Sequence, residues 1–230
     1  MDETLPMGNQ SLISFDADQT LFDFERVMYQ ALSVVAEHIY DRYSIRVSVK
    51  ELKDRRDRIA SKATASTPML ELRRLSFQEI LEEYGVTTPG AINAAMGLFE
   101  EIRFGQVYLY EDTIPALSTL AEKLPLALLT NGNSTAAQAQ IDEYFTYSVL
   151  AEDVGYKKPD RRIFDSLLNE AGLRANQLMH VGDSLETDVQ GALNAGATSV
   201  YLNRNTIPNK TAITPHYEIC ELTELLAIVD

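Results

Sequence analysis

Asp16 and Asp18, separated by one alanine in SLISFDADQTLFD (Ser11–Asp23), are the first residues in the chain whose spacing suits a shared chemical task. Side chains two apart on an extended segment point the same way, so a chain leaving a strand here aims both carboxylates into one pocket. Two like charges that close raise each other's pKa unless a cation or a proton comes between them. One carboxylate can then serve as nucleophile or metal ligand while the other carries a proton. Aspartate and glutamine are also ordinary residues of a polar turn. The meaning of the pair therefore depends on what the rest of the chain brings to the same place.

The elements that would position such groups follow from the apolar patterning. A short β-compatible run leads into Asp16. From about residue 22 to about 110 the pattern is helical, with helices expected at Phe24–Tyr43, Val49–Lys62, Met69–Tyr84 and Pro89–Phe104. After Asp112 strand and helix alternate. A helix over residues 113–124 precedes the apolar run PLALLT, a helix is expected at Ser134–Tyr144, and Tyr147–Leu150 reads as a short strand. Helix Asp160–Gly172, strand Leu178–Val181, helix Leu185–Ala195, strands Ser199–Leu202 and His216–Ile219 and helix Leu222–Val229 complete the order. Such alternation implies an α/β fold: a Rossmann-like parallel sheet with helices on both faces, carrying an inserted all-helical module. In open parallel sheets functional groups collect beyond the C-terminal ends of strands. Those ends here carry Asp16 and Asp18, Thr130 and Asn131, and Asp183 with Asp188 beyond it, while the loop before Asp160 adds Lys157 and Lys158.

Composition narrows the partners. The 230 residues carry a formal net charge of −14, which argues against sequence-independent binding to a nucleic acid polymer or to anionic lipid. A small anionic substrate stays open, because a metal ion and one or two lysines can reverse the potential inside a cleft. The apolar runs are far shorter than the roughly 20 residues of a membrane span. MDETLPMGNQ has neither a basic nor an apolar signal region, so a cytoplasmic location is expected. The single cysteine, Cys220, excludes an intrachain disulfide and a cysteine-based zinc cluster.

Four segments in this order, DADQT, LLTNGN, GYKKPDRRIF and VGDSLETD, resemble the four motifs of the haloacid dehalogenase superfamily, and the resemblance covers nearly the whole chain. It implies a core domain at 1–21 and 111–230, a helical cap at 22–110, and a phosphohydrolase acting through an aspartyl-phosphate. On this resemblance Asp16 is the nucleophile and Asp18 the general acid and base. Mg²⁺ is held by the side chains of Asp16 and Asp183 and the backbone carbonyl of Asp18. The lysine-proline pattern selects Lys158, not Lys157, as the catalytic, phosphate-facing cation. Thr130 and the Asn131 backbone hold phosphate oxygens near the N-terminus of the Ser134 helix, and Asp188 is a supporting residue that orders metal-bound water or pairs with the lysine. Gln19 stands where the family often has glycine. The phrase FDADQTLFDF resembles the nucleotidase-like branch, which implies a small phosphorylated metabolite such as a nucleotide or sugar phosphate as substrate.

Other readings of the same fold are a 2-haloacid dehalogenase, whose branch lacks the second aspartate, a phosphoglucomutase-like or phosphonate-cleaving enzyme, and a non-catalytic regulatory relative. Thr20 is expected to satisfy backbone groups in its turn, and His180 to be a satisfied core histidine. Arg73, Arg74 and Phe77 are candidates to face a substrate from the helical module.

Overall fold

A computed structural model of the chain describes residues 10–63 and 67–229. It falls into two compact units, one built from the residues up to Asp23 together with those from Leu109 onward, the other from Phe24–Tyr108.

The first unit is an α/β layer structure. Its sheet contains β1 (Leu12–Phe15), β2 (Leu126–Thr130), β3 (Tyr147–Leu150), β4 (Leu178–Gly182), β5 (Thr198–Leu202) and β6 (Tyr217–Ile219), all parallel, in the order β3-β2-β1-β4-β5-β6. The four inner strands are buried along their whole length, which is why they read as mainly apolar runs without a polar face, with Ser14, His180, Thr198 and Ser199 among the buried polar exceptions. This order places the topological switch between β1 and β4, where the chain, having run outward through β2 and β3, returns to the other side of β1. Phe15 pairs in register with Val181, so Asp16 and Asp183 emerge at neighbouring strand ends.

Four helices make the second unit: α1 (Phe24–Tyr43), α2 (Val49–Ala60), α3 (Met69–Glu83) and α4 (Pro89–Gly105). It has its own core, in which Leu32, Val35 and Ile39 of α1 meet Phe77, Ile80 and Leu81 of α3 and Phe99 of α4. Phe77 is fully buried there, edge-on to Phe99. Arg73 is buried beside it, donating to the Leu52 carbonyl at 3.1 Å and lying over the Phe99 ring. Arg73 and Phe77 are thus core residues of their own unit and not a substrate face, because both fall on the apolar stripe of α3. Arg74 stays outside and donates to Asn93.

The remaining helices, α5 (Thr113–Ala121), α6 (Ala151–Val154), α7 (Arg161–Ala171), α8 (Gln190–Ala195) and α9 (Leu225–Val229), belong to the first unit. Asp160 starts α7 by accepting from the Arg162 amide. Ile163, Phe164 and Leu167 then pack with Ala192 and Ala195 of α8 against Leu12, Leu129 and Leu178 of the sheet.

Two expectations change. Ser134–Tyr144 is not a helix; it is a pair of turns ending in the 3₁₀ segment Asp142–Tyr144. The amides of Gln140 and Ile141 bond back to the carbonyls of Ala137 and Ala136, and Gln140 takes φ 55°, a left-handed stop after one turn. Burial of Ile141 outweighs the helix propensity of the alanines and glutamines before it. Leu185–Ala195, expected as one helix, begins as a π-turn over Leu185–Val189 and only then becomes α8.

At the junction on the sheet side, Phe22 pairs antiparallel with Leu109, and the Tyr110 amide donates to the Leu21 carbonyl. Arg204 grips both chain segments of this junction. It makes a bidentate pair with Asp112 at 2.9 and 3.0 Å and donates to the Thr20 carbonyl at 2.9 Å.

Candidate active site

The Asp16 amide continues the β1–β4 ladder by donating to Val181, which fixes the backbone of a buried carboxylate at the strand end. Facing it is Lys158, 2% exposed. Its ammonium donates to Asp16 Oδ1 at 2.6 Å and to the Leu129 carbonyl at 2.7 Å, and lies 2.7 Å from Asp188 Oδ1. An ammonium has three donors, and all three are taken. Lys158 therefore presents a fixed charge. Its backbone is clamped by the Asn131 side chain, which accepts from the Lys158 amide at 2.7 Å and donates to its carbonyl at 2.9 Å. Lys157 next to it is exposed.

Asp18 lies beside the loop that follows β2. Ser134 donates its hydroxyl to Asp18 Oδ1 at 2.6 Å, and Gly132, whose amide donates to the buried Thr130 hydroxyl, leaves no room for a side chain. A Cβ on Gly132 would sit 2.5 Å from Asp18 Oδ2. The next residue, Gln19, has φ 65°, the left-handed conformation glycine adopts most easily, so the chain turns here as a glycine would at some cost in strain. Thr20 is buried and donates its hydroxyl to Asp183 Oδ1 at 3.2 Å, so that side chain serves a carboxylate, not the backbone of its own turn.

Asp183 and Asp188 complete an acidic cluster. One oxygen from each of Asp16, Asp183 and Asp188 lies within 4.8 Å of the others. The three carboxylates respond differently to burial. Asp183 is pushed up to about 6, first by burial and then by the Asp188 charge. Burial also raises Asp16, against the pull of Lys158. For Asp188 burial is outweighed by Lys158 and by His180, which hold it well below the usual carboxylate range. When all are ionised, three carboxylates face one ammonium. An all-oxygen, net-negative set of this kind fits a hard divalent cation such as Mg²⁺.

The structure thus brings Asp16, Lys158, Asp183 and Asp188 together, and sets Asp18, just beyond β1, against Ser134 in the loop that leaves β2 through Thr130 and Asn131. The helix N-terminus expected at Ser134 does not exist, so anion binding there would rest on the Thr130 hydroxyl and loop amides. Sequence reasoning missed Ser134 as the partner of Asp18, the Asn131 side chain as the clamp on Lys158, and the contact of His180 with Asp188. The last left a trace: Ser14 and His180 are polar residues inside two apolar strands.

Among the described residues no helix is long and apolar enough to cross a membrane. Residues 11–196 match the family of haloacid dehalogenase-like hydrolases. Among characterised proteins, human N-acylneuraminate-9-phosphatase is 29% identical over 94% of this chain and 92% of its own length. Pyrimidine 5'-nucleotidase YjjG of Escherichia coli is 28% identical over 93% and 95%. Among solved structures, a 2-haloacid dehalogenase from Pseudomonas syringae superposes with a TM-score of 0.79 at 26% identity, over 96% of this chain and 98% of that one.

Proposed function

The chain belongs to the haloacid dehalogenase-like hydrolases, and on that premise we propose that it is a phosphatase, a Mg²⁺-dependent phosphomonoester hydrolase working through an aspartyl-phosphate. The observation that carries the reading is the second carboxylate, Asp18, held by Ser134 two residues beyond the Lys158-bound Asp16. A departing alkoxide needs a proton and a departing halide does not, so a placed acid favours ester hydrolysis over dehalogenation. The named relatives, an N-acylneuraminate-9-phosphatase and a pyrimidine 5'-nucleotidase, support the same choice.

Lys158 holds Asp16 Oδ1, and the other oxygen of Asp16 attacks phosphorus in line with the leaving oxygen. Asp18 gives its proton to that oxygen as the P–O bond breaks, which frees the alcohol and leaves phosphate esterified to Asp16. Asp18, now ionised, takes a proton from water, and the hydroxide attacks phosphorus, releasing inorganic phosphate and the Asp16 carboxylate. Thr130 and the Asn131 amide bind phosphoryl oxygens. The side chains of Asp16 and Asp183 with the Asp18 carbonyl would hold Mg²⁺, which when bound supplies positive charge to the transferring group. Asp188 supports the site through Lys158. Residues 22–110 would act as the cap that selects the leaving group. The substrate is a small phosphorylated metabolite of the nucleotide or sugar phosphate class, met in the cytoplasm.

The test is phosphate release from an aryl phosphate with Mg²⁺. Asp16→Asn should abolish turnover while keeping the wild-type circular dichroism, and chelation should silence the wild type. Full turnover by Asp16→Asn defeats the covalent mechanism. Halide release from a 2-haloacid with no phosphate release would move the chain to the dehalogenases.

A further inference from the structure

Ser14 on β1 and His180 on β4 are direct partners in the strand register. Both are almost wholly buried, in strands whose other residues are apolar or glycine. A hydroxyl and an imidazole in such a place cost stability unless both are bonded, and here both are. Ser14 Oγ lies 2.8 Å from His180 Nδ1, and His180 Nε2 lies 3.2 Å from Asp188 Oδ1. The Phe164 ring, edge-on at 5.1 Å, fixes the plane of the imidazole.

The direction of these bonds follows from the acceptor at the end. A carboxylate only accepts, so in a neutral imidazole Nε2 carries hydrogen and Nδ1 is left to accept from the Ser14 hydroxyl, whose other acceptor is the Met179 carbonyl at 3.5 Å. Asp188 Oδ1 takes a second bond from Lys158, and Oδ2 accepts from the Ser184 amide at 3.0 Å. On its other side the carboxylate lies against Gly182, where a side chain would collide with it. The series Ser14, His180, Asp188, Lys158, Asp16 is continuous and has no slack.

Resting on the phosphatase reading for its kinetic arm, we infer that His180, backed by Ser14, is a positioning residue that acts through Asp188 and Lys158 to hold the nucleophile Asp16 in its attacking orientation. Any buried histidine needs its ring nitrogens bonded; what sets His180 apart is that one of its bonds ends on the carboxylate that grips the site's lysine. If Asp188 swings away, Lys158 loses one of its three acceptors and Asp16 loses its fixed partner.

Two substitutions separate the roles, because glutamine carries its amide nitrogen near the place of Nε2 and asparagine near that of Nδ1. His180→Asn should lower kcat for an aryl phosphate by about tenfold or more with KM within about twofold. His180→Gln should return kcat to within about threefold of wild type, at a similar thermal midpoint. Equal losses in the two variants, or no loss in either, overturn the inference. A second arm reads the site without turnover: the ¹⁵N resonance of the Lys158 ammonium, identified by its loss in Lys158→Arg. It should move in His180→Asn and return in His180→Gln. If the wild type hydrolyses no phosphate ester, the functional reading falls while this resonance still decides the positioning role. Should His180→Asn fail to fold, Ser14→Ala replaces it, with a smaller shift of the same resonance expected; an unmoved resonance refutes the role.

Discussion

Replacing Asp183 with asparagine should stabilise the metal-free protein while abolishing hydrolysis. The magnitude comes from the carboxyl group's own titration. Burial and the neighbouring Asp188 charge raise Asp183 from its ordinary 3.8 to about 6. Between those values the folded chain holds a proton the unfolded chain has released, so stability falls as pH rises through the window. Each pH unit is worth about 1.4 kcal/mol, and the penalty reaches about 3 kcal/mol above pH 6, as an order of magnitude. Asparagine removes the charge and keeps an acceptor for the Thr20 hydroxyl, which donates at 3.2 Å. Urea unfolding in EDTA at pH 8 should therefore show Asp183→Asn more stable than wild type by about 1 to 3 kcal/mol. At pH 4 the gap should nearly close. Saturating Mg²⁺ should close it at pH 8 too, because a ligand bound only by the folded wild type adds stability by mass action. A variant no more stable than wild type at pH 8, or a gap of the same size at both pH values, would refute the argument.

Asp18→Asn should lose most activity on alkyl phosphates, whose leaving groups need the proton, and least on aryl phosphates. Gly132→Ala should reproduce that pattern more weakly by pushing a methyl group into Asp18 Oδ2. An equal loss on both substrate types in these variants would count against the acid role. Lys158→Met leaves two buried carboxylates without their cation and should cost about 3 to 5 kcal/mol at pH 7. Denaturant titration would show that loss shrinking toward pH 4 as the carboxylates protonate; a loss independent of pH would contradict it.

The strands were legible in the sequence for a physical reason. β1, β2, β4 and β5 are covered on both faces, so burial writes them as short, mainly apolar segments without a polar face. The parallel order then carries Asp16 and Asp183 to one place. Less legible was whatever depends on a partner distant in the chain. The hydroxyl of Thr20 goes to Asp183, His180 touches Asp188 beside Lys158, and Asn131 spends its side chain on a backbone 27 residues away. Local propensity misled at Ser134–Tyr144, where one buried isoleucine and a left-handed glutamine end a helix that composition alone favours. It was also too coarse at Leu185–Val189, where the extra residue of a π-turn lies in the segment that carries Asp188.

The pairing of Phe22 with Leu109, with Arg204 tied to Thr20 on the outgoing segment and Asp112 on the returning one, has an evolutionary reading. Chain leaves and re-enters the sheet at adjoining points, so whatever is spliced between them closes the same gap. Each doubling of an inserted length costs only about 0.6 kcal/mol in closure entropy. A lineage can therefore exchange, lengthen or rebuild the excursion from Phe24 to Tyr108 without renegotiating a single strand of the sheet. On the proposed cap role, novelty in what is recognised and constancy in how it is transformed can be inherited separately, because one guanidinium ties the two ends of the splice.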